Sequence, residues 1–195
     1  MVGASAICFA RRAITPGLPE RAWAGASLRM PGASPQIHVA AGSTTQPYQR
    51  GLLALREGPL REAALRGLPR LPDVLIVDAT GRDHPRRAGL ALHLGAVLGI
   101  ASLGVTDRPL LAQGAPAQLP DRRGAVAPLR LGGEIVACWV RTRPAVRPVV
   151  VHPGWGLSLD QTVELVLRAA RKARTPQSLR IARRAARVAR SRAGG

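Results

Sequence analysis

The sequence predicts an α/β domain built on a mixed sheet flanked by helices, and three observations predict it. The unalternated apolar run Val74-Leu75-Ile76-Val77 reads as a strand buried on both faces. A helical pattern follows it, with Leu90, His93, Leu94 and Val97 at three- and four-residue spacing, and then a second apolar run, Ile100 to Val105. Beyond that strand–helix–strand unit, Gly132-Gly133 between residues 125–131 and 134–140 marks a two-residue hairpin.

Residues 1–46 mix Ala, Gly, Pro, Ser and Arg without sustained period two or 3.6, so a disordered arm or a wrongly assigned start is expected there. Order is expected from residue 47. A short apolar piece, Leu52 to Leu55, precedes Arg56-Glu57-Gly58-Pro59. A helix is then predicted with Leu60, Ala64, Leu65 and Leu68 on one face, ended by Gly67 and Pro69. Residues 112–124 read as loop and Val146–Val151 as a further strand. Ser158 and Gln161 form a capping box ahead of a helix carrying Val163, Val166, Leu167 and Ala170. Thr175-Pro176 opens a last helix, with residues 191–195 as a flexible tail.

A chain of 195 residues can bury one real core. Its net charge of +18 points to a polyanionic partner such as nucleic acid. Of the 29 basic residues only Lys172 is not arginine, and such a bias also accompanies GC-rich coding sequence. Between Arg168 and Arg192 stand ten basic residues and no acidic one. Cys8 and Cys138 fit neither a metal spacing nor a disulfide framework, so a reducing cytoplasm is the expected setting. No apolar run approaches the ~20 residues of a membrane span, and a monomer is expected.

The chemistry-bearing residues gather around the first strand. Glu57 and Asp78 are the best carboxylate pair, readable as Mg²⁺ ligands or as solvated helix caps. His84 could orient a water or move a proton, or serve as a hydrogen-bonded loop residue. Arg86 and Arg87 suit phosphate, or a wet helix end. His93, on the apolar face, reads as a core histidine. Tyr48, beside Pro47, could stack on a base or start the core.

Three separated blocks, PYQRGLLALREGP, PDVLIVDATGRDHPRRAGLALHLG and IASLGVTDRPLL, together with PGWGLSLDQTVELVLRAARKARTP, resemble endonuclease V over about residues 47–190. The resemblance implies a ribonuclease H-like fold. It also implies Mg²⁺- or Mn²⁺-dependent hydrolysis of a phosphodiester 3′ to a deaminated base, chiefly hypoxanthine, in DNA or RNA. Glu57 and Asp78 would be metal-binding carboxylates and His84 an active-site histidine. Pro47 and Tyr48 would begin the wedge that parts the strands, and Gly81 would belong to the turn beside the base pocket.

Departures accompany the resemblance. The family's first metal-binding aspartate belongs to an N-terminal strand, and residues 1–46 contain no aspartate, so those strands are expected to be missing or altered. The family's lysine falls on Asp107, a later histidine on Trp155, a glycine on Ala79 and the wedge's second proline on Arg50. The expected function is a metal-dependent endonuclease; the alternative is a catalytically silent relative that binds nucleic acid.

Overall fold

The computed structural model describes residues 1–10, 18–47, 49, 51–116 and 119–194. These divide into two units, Met1–Leu75 with Ser178–Gly195, and Ile76–Gln177.

The first unit holds three strands, β1 (Val2–Phe9), β2 (Glu20–Arg29) and β3 (Gln36–Thr44). They lie in the order β3-β2-β1, antiparallel throughout, with Ser5 opposite Ala26 and Gly25 opposite Val39. This corrects the expectation that residues 1–46 are disordered and that N-terminal strands are missing. The physical reason is burial on both faces. In β2, Ala22 to Leu28 are all buried, so no polar alternation marks the strand. Small side chains there admit close neighbours: a Cβ on Gly25 would stand 2.3 Å from the carbonyl oxygen of Ala182. That carbonyl belongs to helix α4 (Gln177–Arg192), which Ser27 also meets through a 2.9 Å hydrogen bond from its Oγ to the Ser178 carbonyl.

Helix α1 runs from Leu53 to Arg66 with Pro59 inside it. A helix beginning only at Leu60 is therefore corrected. The proline removes one amide donor, yet the helix continues through it. As a result Glu57 lies within the helix, four residues from Arg61. Leu60 of α1 packs beside Gly42 of β3, and His38 beside Gly67.

Strand β4 (Val74–Val77) is the predicted apolar run, and the division between units falls within it. In the second unit the strand order is β4-β5-β8-β7-β6, with β5 at Ala101–Thr106, β6 at Val126–Leu131, β7 at Glu134–Val140 and β8 at Val149–Pro153. Helix α2 (Leu90–Leu98) joins β4 to β5, and α3 (Leu159–Ala170) follows β8. The hairpin turns at Gly132 and Gly133, both with positive φ (59° and 83°), as a two-residue turn of this kind requires. Both bonds of the capping box at Ser158 and Gln161 form.

Two local expectations shift. Strand β8 begins at Val149 rather than Val146, because the carbonyls of Val146, Arg147 and Pro148 accept from the guanidinium groups of Arg141 and Arg174 instead of joining a ladder. His93 is exposed, not core; Leu90, Ala91, Leu94 and Gly95 form the buried face of α2.

Candidate functional site

Glu57 is buried in the first unit, and its carboxylate is already engaged. Nε and Nη2 of Arg61 donate to Glu57 Oε2 at 3.0 and 2.7 Å, while Nη1 donates to the Ser5 carbonyl of β1 at 3.1 Å. The side chains are 3% (Arg61) and 8% (Glu57) exposed. One helical turn sets this pairing, because residues four apart face the same way. Beside it, Arg56 reaches the Gln46 carbonyl at 2.6 Å, pairs with Glu20 and lies 4.4 Å over the Phe9 ring.

The other predicted residues on the β4–α2 connection lie in the second unit. Asp78 ends β4 half-buried. Gly81 is there because of close approach: a Cβ would come within 2.0 Å of the Pro153 carbonyl oxygen. His84 is buried, and its Nδ1 accepts from the Arg86 amide at 3.2 Å. Arg86 is exposed. Arg87 adopts positive φ (55°), and its guanidinium reaches the Leu131 carbonyl at 2.9 Å and Glu134 at 3.3 Å. Its side chain therefore ties the loop to the β6–β7 hairpin. Pro47 is exposed, in the first unit; Tyr48 and Arg50 lie outside the described residues.

Sequence reasoning passed over Asp83, which organises this loop. Fully buried, it accepts from the amides of Leu110, Leu111 and Ala112 at 2.6, 2.8 and 2.8 Å. Three converging amides satisfy both of its oxygens. The only hint in the sequence is a carboxylate directly before His84-Pro85. His152 on β8 was also missed. It is fully buried, 2.9 Å from Thr106 Oγ1, and desolvation lowers its pKa to about 4 despite the opposing charge of Asp83.

The departures have structural partners. Asp107 pairs with Arg174 at 2.6 Å, so the anion that replaces a cation is itself balanced. Trp155 is 49% exposed, while its backbone is fixed to Ser102 through bonds at 2.9 Å in both directions.

Much of the basic charge is also spent on main-chain carbonyls. Arg123 holds those of Thr142, Leu167 and Arg171, and Arg141 those of Leu119, Pro120 and Val146. Helix α4 likewise holds the Phe9 carbonyl at 3.2 Å through Arg190. Ser178, Leu179, Ala182 and Ala186 form its buried face, whereas Arg180, Arg184, Arg187 and Arg192 are exposed at helical spacing. No acidic residue interrupts that stripe.

Does this arrangement fit a divalent ion? Among the described residues, no three or more His, Cys, Asp or Glu side chains are grouped so as to hold one. Strand β1 contains no carboxylate. A divalent ion at Glu57 would be attracted by its carboxylate and repelled by the Arg61 guanidinium that already holds Oε2. Within the first unit, one carboxylate with Oε2 taken and no acid on β1 do not by themselves make up a site for the ion.

Residues 26–184 match the family profile described as Endonuclease V. The chain belongs to the Endonuclease V family. The match begins inside β2, so residues 26–46, expected to fall outside the resemblance, belong to it. A relative from Methanopyrus kandleri is 45% identical over 144 residues, covering 74% of this chain and 61% of its own length. The chain spans 61–64% of the length of that and two further curated relatives. The crystal structure of Endonuclease V from Streptomyces avermitilis superposes with a TM-score of 0.88 at 32% identity, covering all of this chain and 82% of that one. A Ciona intestinalis Endonuclease V, solved with a 24mer DNA containing an inosine followed by a ribo-adenosine, shares the fold at TM-score 0.76 and 21% identity, over 98% of this chain and 85% of that one. The fold is thus the ribonuclease H-like α/β fold of a family of endonucleases. Among the described residues no helix is long and apolar enough to cross a membrane.

Proposed function

We propose that this protein binds nucleic acid at deaminated bases, hypoxanthine foremost, as a member of the Endonuclease V family, without hydrolysing the phosphodiester through a metal ion at Glu57. The observation that carries the reading is the buried pairing of Glu57 with Arg61, which takes Oε2 of the carboxylate that the resemblance assigns to the metal. Binding is supported by the family match and by the exposed arginines of α4, which suit phosphates without reading sequence. Pro47, Tyr48, Gly81 and Arg86 remain proposed to contact nucleic acid, Asp78 and His84 remain candidates for the chemistry of the second reading, and Arg87 places the loop.

A second reading, Mg²⁺- or Mn²⁺-dependent cleavage 3′ to the base, is favoured by the intact HPRR string and by 45% identity to a named endonuclease. One experiment separates them. Duplexes and single strands with and without a single inosine are titrated at graded salt, then incubated with Mg²⁺ or Mn²⁺. The proposed reading predicts tighter binding to inosine-containing strands, a steep salt dependence and no nick. Replacing Arg184, Arg187 and Arg192 with alanine should flatten the log–log salt slope by about 2–3. Metal-dependent nicking that Glu57→Gln abolishes would establish the second reading. Binding indifferent to both inosine and salt would remove the first.

A further inference from the structure

We infer that the Arg61 guanidinium is the resident cation of the Glu57 site, a permanent single charge standing where the resemblance places a divalent ion. The inference rests on the reading above that no metal ion acts at Glu57, and it does not depend on which base is recognised.

Three observations within the first unit carry it. First, Arg61 spends its donors on the two groups a cation in this position would meet: Oε2 of Glu57 takes the bonds from Nε and Nη2, and the Ser5 carbonyl of β1 takes the one from Nη1. Second, both side chains are more than nine-tenths buried, so the pair is not a solvated surface bridge that a hydrated ion could displace at little cost. Third, strand β1, which meets the pair through the Ser5 carbonyl, carries no acid, so within the first unit the Arg61 charge is the one that meets Glu57. An arginine also cannot release its charge by deprotonation, unlike a lysine. The helix explains how the exchange is made: continuing α1 through Pro59 aligns Glu57 with the residue four positions later.

The test uses the full chain and Mn²⁺ alone, read by its electron paramagnetic resonance signal and by thermal melting. The wild type should leave Mn²⁺ free at equimolar, sub-millimolar concentration, and its melting temperature should not move on adding Mn²⁺. Arg61→Met removes the resident charge and leaves Glu57 buried; its melting temperature should fall and should rise again with Mn²⁺. Adding Glu57→Gln to that variant should remove the response. Stoichiometric Mn²⁺ binding by the wild type, weakened tenfold or more by Glu57→Gln, would overturn the inference. So would an Arg61→Met protein that folds and ignores Mn²⁺ as the wild type does. If Arg61→Met does not fold, the wild-type titration decides alone, since saturable binding lost in Glu57→Gln still refutes it. The inosine and salt titrations are run without metal, so their failure leaves this inference standing, whereas metal-dependent nicking that Glu57→Gln abolishes would overturn both.

Discussion

Helices α1 and α3, one in each unit, carry three glutamates followed four residues later by an arginine, and two of these pairs, Glu57–Arg61 and Glu164–Arg168, differ in almost everything except spacing. In α1, Glu57 and Arg61 meet at 2.7 Å with side chains 8% and 3% exposed. In α3, Glu164 and Arg168 meet at 3.3 Å with side chains 69% and 76% exposed. Spacing alone allows both pairs. Burial decides what each is worth. The exposed pair exchanges water for weak contact, and such pairs contribute about 0.3–0.5 kcal/mol. The buried pair has left water, so each member depends on the other, and removing one leaves an uncompensated charge. A carboxylate in the second situation is no longer an open ligand.

Asp83 sharpens the contrast with a buried carboxylate that uses no arginine. Its charge is met by three amides. Asp83→Ala should cost the most, about 5 kcal/mol, since each bond to a charged acceptor is worth roughly 1.5–3 kcal/mol and three donors lose their partner. Chemical denaturation measures it, and a loss under about 2 kcal/mol would mean that water replaces the carboxylate. Next comes Glu57→Leu, which strands Arg61 and should cost about 3–5 kcal/mol by the same measurement. Then comes acid. The unfolded chain protonates His152 near pH 6.5, whereas the folded one holds it neutral until about pH 4. Its contribution to stability is therefore present above pH 6.5 and falls as pH drops through that window, by about 3 kcal/mol at roughly 1.4 kcal/mol per unit. Comparing the pH dependence of wild type and His152→Gln isolates it; identical slopes would count against a buried neutral imidazole. Smallest is Glu164→Ala, expected within about 0.5 kcal/mol of wild type.

The second unit was more legible from sequence than the first, and the reason lies in side-chain size. Val74-Leu75-Ile76-Val77 and the Gly132-Gly133 hairpin announce themselves through large apolar residues and a glycine pair. Strands β1 and β2 are built from Ala, Gly and Ser, buried on both faces against close neighbours, and such a pattern has no period to read. At the site, the resemblance named Glu57, Asp78 and His84 by their strings. The partner of Glu57 was hidden because the helical face is read from Leu60 onward, which keeps Glu57 and Arg61 off a common helix, whereas α1 runs from Leu53 through Pro59. The arginine excess was legible as charge but not as use: Arg61, Arg87, Arg123, Arg141 and Arg174 hold main-chain carbonyls, and no composition distinguishes these from the exposed stripe on α4.

The most direct measurement is a double-mutant cycle between Glu57 and Arg61, each replaced by leucine singly and together, with stability determined by denaturant unfolding with and without Mg²⁺. Mutual dependence predicts a coupling of at least about 2 kcal/mol, a double variant within roughly 1 kcal/mol of wild type, and no change when Mg²⁺ is added. A coupling below about 0.5 kcal/mol, no larger than that expected of Glu164 and Arg168, or a wild type stabilised by Mg²⁺ through Glu57, would contradict it.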